Sequence, residues 1–141
     1  MARYINLDSA GKNRSNMVRG VAIALKELVQ QPKVDAKTRD IVAFIALALL
    51  EISKTIDPTV EPWEKRGYWI KADRFRLEWS WAEKMGSRLK SFLNEEDWPE
   101  IAMITAQLAE KLSHVKIPSK HRFGTPWDGA WEQIKNQNNH N

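Results

Sequence analysis

Residues 61–93, EPWEKRGYWIKADRFRLEWSWAEKMGSRLKSFL, hold four of the seven tryptophans (Trp63, Trp69, Trp79, Trp81) and eight of the 22 Lys and Arg residues. No proline follows Pro62 in this stretch, and its apolar residues recur at three- and four-residue steps. That period predicts a helix rather than a strand, with Pro62 tolerated in the first turn. Unbroken, it would reach about 46 Å, unless Gly67 breaks or bends it.

Projected at about 100° per residue, the stretch shows two apolar stripes roughly 130° apart. One holds Tyr68, Ala72, Phe75, Trp79, Ala82, Gly86, Leu89 and Leu93. The other holds Trp63, Ile70, Leu77, Trp81, Met85 and Phe92, with Arg74 and Arg88 among them. A neighbouring helix pair can cover the first stripe; the second needs a separate cover. Lys71 and Glu78 lie between the stripes, where Glu78 can pair with Arg74. If it neutralises Arg74 and Lys71 there, its loss leaves buried positive charge; otherwise the sector is solvated.

The flanking segments supply the neighbours. Ser15 or Asn16 to Gln31, stopped by Pro32, reads as an amphipathic helix with Val18, Val21, Ala22, Leu25, Leu28 and Val29 on one face. Residues 1–14 read as an irregular lead-in that exposes Lys12 and Arg14. Asp35 is a good N-cap for a second helix, because its carboxylate can accept the free amide hydrogens of the first turn. That helix is expected to run to about Ile56, ahead of Asp57-Pro58. From Ile41 to Leu50 it is apolar all round, so it must be covered on several sides. A further helix starts at Asp97, with Pro99 in its first turn and Glu100 completing a capping box. It is expected to bury Ile101, Ile104, Thr105, Leu108, Leu112 and Val115 and to end before Pro118. In the tail, Thr125-Pro126-Trp127-Asp128 predicts the start of a short helix carrying Trp127, Ala130, Trp131 and Ile134 on one strip. Two tryptophans on one strip call for burial. The proposed place is the second stripe of the long helix.

The expected architecture is all-α: an up-down four-helix bundle with a short C-terminal tryptophan-containing helix packed across it. It forms one domain over residues 1–135, with 136–141 disordered.

Composition narrows the function. Apolar residues make up 43% and charged residues 28%, as in ordinary globular proteins. The absence of cysteine excludes disulfides, thiol nucleophiles and cysteine-ligated zinc. The longest apolar run, Ile41 to Leu50, is half of what a membrane span needs, so no membrane partner is expected. The N-terminal MARYINLDSAGKNRS lacks an apolar signal core, and a cytoplasmic location is expected. The net charge of +4 is unevenly spread: residues 61–93 carry eight basic and five acidic groups, residues 94–117 two and five. Unlike segments of this kind can attract one another within a bundle.

No catalytic, cofactor or metal site emerges. Ser9-Ala10-Gly11-Lys12 lacks the first glycine and the hydroxyl residue of a phosphate loop, Asn6 and Asn13 standing there instead. Glu110 and His114 form an isolated pair at the wrong spacing for a two-metal bundle site. Glu95, Glu96, Asp97 and Glu100 surround a helix start, where acids are stabilising in their own right.

Binding remains. The candidate partner or ligand surface comprises Trp63, Ile70, Arg74, Leu77, Trp81, Met85, Arg88, Trp127 and Trp131. The sequence is therefore read as a non-enzymatic binding or assembly module, with a homodimer or another protein as partner. The alternative is a nucleic-acid-binding protein that uses Lys65, Arg66, Trp69 and Arg76, since interleaved rings and cations can stack on bases and neutralise phosphates.

Overall fold

A computed structural model describes residues 10–117 and 123–139, and the regular structure within them is entirely helical. Six helices follow in order: α1 Ala10–Val29, α2 Ala36–Lys54, α3 Ile56–Lys65, α4 Trp69–Asn94, α5 Trp98–Lys111 and α6 Ala130–Asn139.

Helix α2 is the centre, packing against α1, α4, α6 and α3. Asp35 caps it as expected, accepting from the Thr38 amide at 3.1 Å. Ile41, Val42, Ala43, Ile45, Ala46, Leu49 and Ile52 are fully buried, the outcome demanded by a helix apolar all round. A close approach to α4 falls at Gly86. A Cβ added at Gly86 of α4 would lie 3.1 Å from Leu49 Cβ and 3.2 Å from the Ala46 carbonyl oxygen. Neighbours run antiparallel: Arg14 near the start of α1 meets Thr55 past the end of α2, and Arg39 near the start of α2 pairs with Glu96 past the end of α4.

Helix α1 starts at Ala10, five or six residues before the expected boundary. Arg14 explains the extension. Its guanidinium donates to Thr55 Oγ1 and Thr59 Oγ1, each at 3.1 Å, and lies over the Phe75 and Trp79 rings. Tertiary contacts therefore hold a first turn that the sequence leaves unsupported, and Arg14 is not the exposed loop residue expected. At the other end Val29 is exposed, since the helix stops there.

The second and third expected helices are divided differently. Helix α2 ends at Lys54, and the buried Thr55 separates it from α3. Thr55 Oγ1 donates to the Ile52 carbonyl at 2.7 Å, while the Thr55 carbonyl accepts from Thr59 Oγ1 at 2.8 Å. Pro58 then occupies the tolerant first turn of α3 rather than a loop. Pro62 lies inside α3, where its missing N–H leaves one helical bond unmade.

The stretch 61–93 is two helices, not one. The Gly67 amide donates to the Glu64 carbonyl at 3.0 Å and the Tyr68 amide to the Trp63 carbonyl at 2.8 Å, with Gly67 at φ +81°. These bonds are the paired closure of a helix ending on a left-handed residue. Helix α4 ends by the same device, with Glu96 at φ 53° and Asp97 bonding back to Phe92 at 2.9 Å.

Asp97 caps α5, and Ile101, Ile104, Thr105 and Leu108 are buried as expected. The helix stops at Lys111, short of the expected end near Ile117. The amides of Ser113 and Val115 bond three residues back, closing turns instead of continuing the helix.

The tail helix also begins later, at Ala130. Thr125 Oγ1 donates to Asp128 at 2.7 Å, and Gly129 at φ +82° interrupts the chain before α6. Trp127 precedes the helix and is buried edge-on against Phe44, ring centroids 6.5 Å apart. The tail thus packs mainly on α2, where Trp127 meets Phe44, instead of on the second stripe of α4. Helix α2 has an apolar flank left over after α1 and α4 have docked, and α6 covers it with Ala130 and Ile134. Helix α6 continues through residues 136–139, with Gln137 and Asn138 bonded to Lys90 and Asn94 of α4.

Candidate binding surface

The α3–α4 corner is tied together beneath by ion pairs and exposed above. Arg76 of α4 holds Glu64 of α3 with two parallel bonds, 2.9 and 3.0 Å, and reaches Asp57 at 3.3 Å. Such a fork pins the two helices at a set angle across Gly67. The Arg76 bonds keep the Glu64 carboxyl below its ordinary value, and Glu64 holds Arg76 further above its own.

A row of rings runs along the inside of the corner. Trp63 meets Phe75 edge-on at 5.3 Å, Phe75 meets Trp79 at 6.3 Å, and Trp79 stacks on Trp81 at 5.7 Å. Cations sit over both ends and the middle: Lys71 on Trp63 at 4.3 Å, Arg14 on Phe75 at 4.8 Å, Lys111 on Trp81 at 5.0 Å. Burial in this row pushes the Arg14 guanidinium below its ordinary value, with Glu78 opposing the shift. Glu78 itself is exposed, lines one cleft with Lys71 and Arg74, and also acts on Arg14, so the sector between the stripes is open to solvent.

The first stripe of α4 is buried at Ala72, Ala82, Gly86, Leu89 and Leu93, half-buried at Phe75 and Trp79, and open at Tyr68. The second stripe divides at mid-helix. Trp81, Met85 and Phe92 are half-buried against the core, on the part of α4 that meets α5. Toward the corner Ile70 is 70% exposed and Leu77 75%. Arg74 and Arg88 are exposed, and Trp63 is half-buried. A shallow cleft of about 440 Å³ lies among Trp63, Ile70, Lys71, Arg74, Phe75 and Glu78. An adjoining one of about 550 Å³ is formed by Gly67 to Lys71.

The structure therefore brings Trp63, Ile70, Arg74 and Leu77 onto one open surface, with Trp81 at its covered edge. Trp127 and Trp131 are elsewhere: Trp127 is in the core, and the Trp131 amide is bonded to Asp40 of α2, with Lys135 over the half-buried Trp131 ring. Of the residues considered for nucleic acid, Lys65, Arg66 and Trp69 are exposed at the corner, while Arg76 is engaged by Glu64 and Asp57. Tyr68 and Lys71 belong to the open surface although the sequence reading did not select them. The signal was present in Lys65-Arg66-Gly67, basic residues followed by glycine, a helix-stop pattern. Among the described residues, no group of three or more His, Asp or Glu side chains could hold a metal ion, and no helix is long and apolar enough to cross a membrane.

No protein-family model, curated protein or solved structure matches the chain.

Proposed function

We propose that the protein is a non-enzymatic assembly module that associates with a second copy of itself through the open half of α4. In this reading α1, α2, α4 and α5 form an up-down four-helix frame on which the tail helix packs. The observation that carries the proposal is the exposure of Ile70 and Leu77, two helical turns apart on one face and flanked by Arg74 and the half-buried Trp63 and Trp81. Apolar side chains aligned on a rigid helix form a patch whose burial is favourable, and a two-fold pairing covers both copies' patches at once. With Arg76 engaged, the nucleic-acid reading keeps only Lys65, Arg66 and Trp69 of its four contacts.

The test is the mass of the protein in solution as a function of concentration. The wild type should move from monomer to dimer, and Leu77→Asp should stay monomeric with unchanged helicity, because Leu77 supports nothing inside the fold. A wild type that remains monomeric throughout sinks the proposal. A heterologous partner captured by the wild type and not by Leu77→Asp would transfer the same surface to another protein.

A further inference from the structure

The tip of the corner differs from the stripe beside it. All residues from Lys65 to Lys71 are exposed, and a Cβ at Gly67 would meet nothing within 4 Å. Three consecutive large side chains stand there: Tyr68 at 53% exposure, Trp69 at 58% and Ile70 at 70%. Trp69 and Ile70, consecutive on the helix, point about 100° apart, and Tyr68 precedes the helix with a non-helical backbone, so the three do not line one helix face. A flat protein surface can cover one or two of them at a time. A medium that surrounds the tip can cover all three.

Charge identifies the medium. Residues 65–71, KRGYWIK, carry three cations and no acid, and Arg74 adds a fourth exposed cation one turn on. The nearby acids Glu64 and Asp57 are occupied by Arg76, leaving Glu61 and Asp73 exposed at the sides and Glu78 exposed at the far end of the cleft beside Arg74. Tryptophan and tyrosine favour the boundary between lipid headgroups and acyl chains, and cations around them meet the phosphates. Each cation close to an anionic leaflet raises affinity about fivefold.

We propose that this corner docks on an anionic lipid bilayer, with Tyr68, Trp69 and Ile70 entering the headgroup region and Lys65, Arg66 and Lys71 on the lipid phosphates. The contact is peripheral and goes beyond self-association. It needs Trp69, which lies off the Ile70–Leu77 stripe, and it does not need Leu77. A bilayer is favoured over nucleic acid because Ile70, the most exposed of the three, has no ring to stack on a base. The projecting tip also supplies no groove to track a strand.

Co-sedimentation of the full chain with vesicles tests it, comparing phosphatidylcholine alone with phosphatidylcholine plus phosphatidylglycerol. Binding should appear with the anionic vesicles, weaken as salt rises, and be weak or absent on the zwitterionic ones. The pair Trp69→Ala and Ile70→Ala should weaken it by about ten- to hundredfold, the scale of losing a large apolar side chain's burial. Arg66→Glu with Lys71→Glu should abolish it. Leu77→Asp should bind vesicles at least as well as the wild type, because Ile70 is shared with the self-association surface and is freed in the monomer, which separates this result from that of the assembly test. These residues are exposed, so unchanged thermal unfolding is expected and checks that the fold survives. Absence of binding to anionic vesicles at low salt overturns the proposal. So does binding that Trp69→Ala and Ile70→Ala leave intact, which would reduce it to diffuse attraction by net charge. Retardation of a single-stranded oligonucleotide that depends on Trp69, without vesicle binding, would assign the corner to nucleic acid and equally overturn it.

Discussion

Asp40 of α2 accepts a hydrogen bond from the backbone amide of Trp131 at 2.9 Å, across 91 residues of chain. Its second oxygen accepts from the Gly129 amide at 3.2 Å. The first amides of a helix have no partner within it, and a carboxylate there satisfies them and meets the positive end of the helix. Asp40 therefore caps α6 from another helix and fixes where the tail lands.

Asp40→Ala should cost about 1–2 kcal/mol, the range for loss of a helix cap that leaves amides unpaired. The loss should concentrate in the tail. Amide hydrogen exchange would show α6 opening well before α2, and Asp40→Asn, which keeps an acceptor, should retain much of the protection. Uniform loss across all helices would mean that α6 is no separately anchored element.

Gly86→Ala should destabilise the protein although alanine is the better helix former. Propensity favours alanine by about 1 kcal/mol. Against it, the new methyl group meets Leu49 Cβ at 3.1 Å and the Ala46 carbonyl at 3.2 Å, which lie on or next to the backbone of the central helix and cannot swing aside. Overpacking of this kind costs about 1–3 kcal/mol, so the net change should be a loss near 1 kcal/mol, read in a denaturant titration. Gly86→Val adds a second collision and should lose considerably more.

Gly67→Ala probes the break between α3 and α4. Space is available, so the cost is conformational: φ of +81° disfavours an L side chain by about 1–2 kcal/mol. A smaller unfolded chain entropy returns part of that, leaving about 1 kcal/mol of destabilisation. An equally stable variant would show that the corner relaxes into a continuous bend.

Acid should weaken the corner before it melts the core. Glu64 is held below its ordinary 4.5 chiefly by the Arg76 hydrogen bonds, and Asp35 below its ordinary 3.8 chiefly by the Thr38 amide. A depressed carboxyl contributes stability that is complete above its unfolded value and fades as pH falls through the folded one. Thermal midpoints should therefore decline below about pH 4.5, and Glu64→Gln should flatten the upper part of that decline. An unchanged acid limb in Glu64→Gln would remove the Arg76 fork from the account.

The elements read correctly from sequence share a local cause. Asp35 and Asp97 announce helix starts because a capping side chain bonds amides three residues away. The run Ile41 to Leu50 announces a buried helix because no polar side chain interrupts it. Arg14 was misplaced because its partners, Thr55, Thr59, Phe75 and Trp79, lie at least 41 residues away in sequence. Of the open surface, Ile70, Arg74 and Leu77 followed from helical spacing. Tyr68 did not, because a single helix drawn through Gly67 puts it on the buried stripe, and Lys71 did not, because helical spacing puts it between the two apolar stripes.

By itself the sequence determined an all-helical chain, its central apolar helix, and a long amphipathic stretch with more apolar surface than one neighbour can cover. Those properties rest on interactions within a few residues, which composition and spacing record. Only the tertiary structure decided how that excess is shared. The tail goes to α2, where Asp40 and Phe44 receive it, α5 meets the C-terminal half of α4, and Ile70 and Leu77 stay open. The choice depends on which surfaces remain after α1, α2 and α4 have packed, a competition among distant segments that spacing along the chain does not encode.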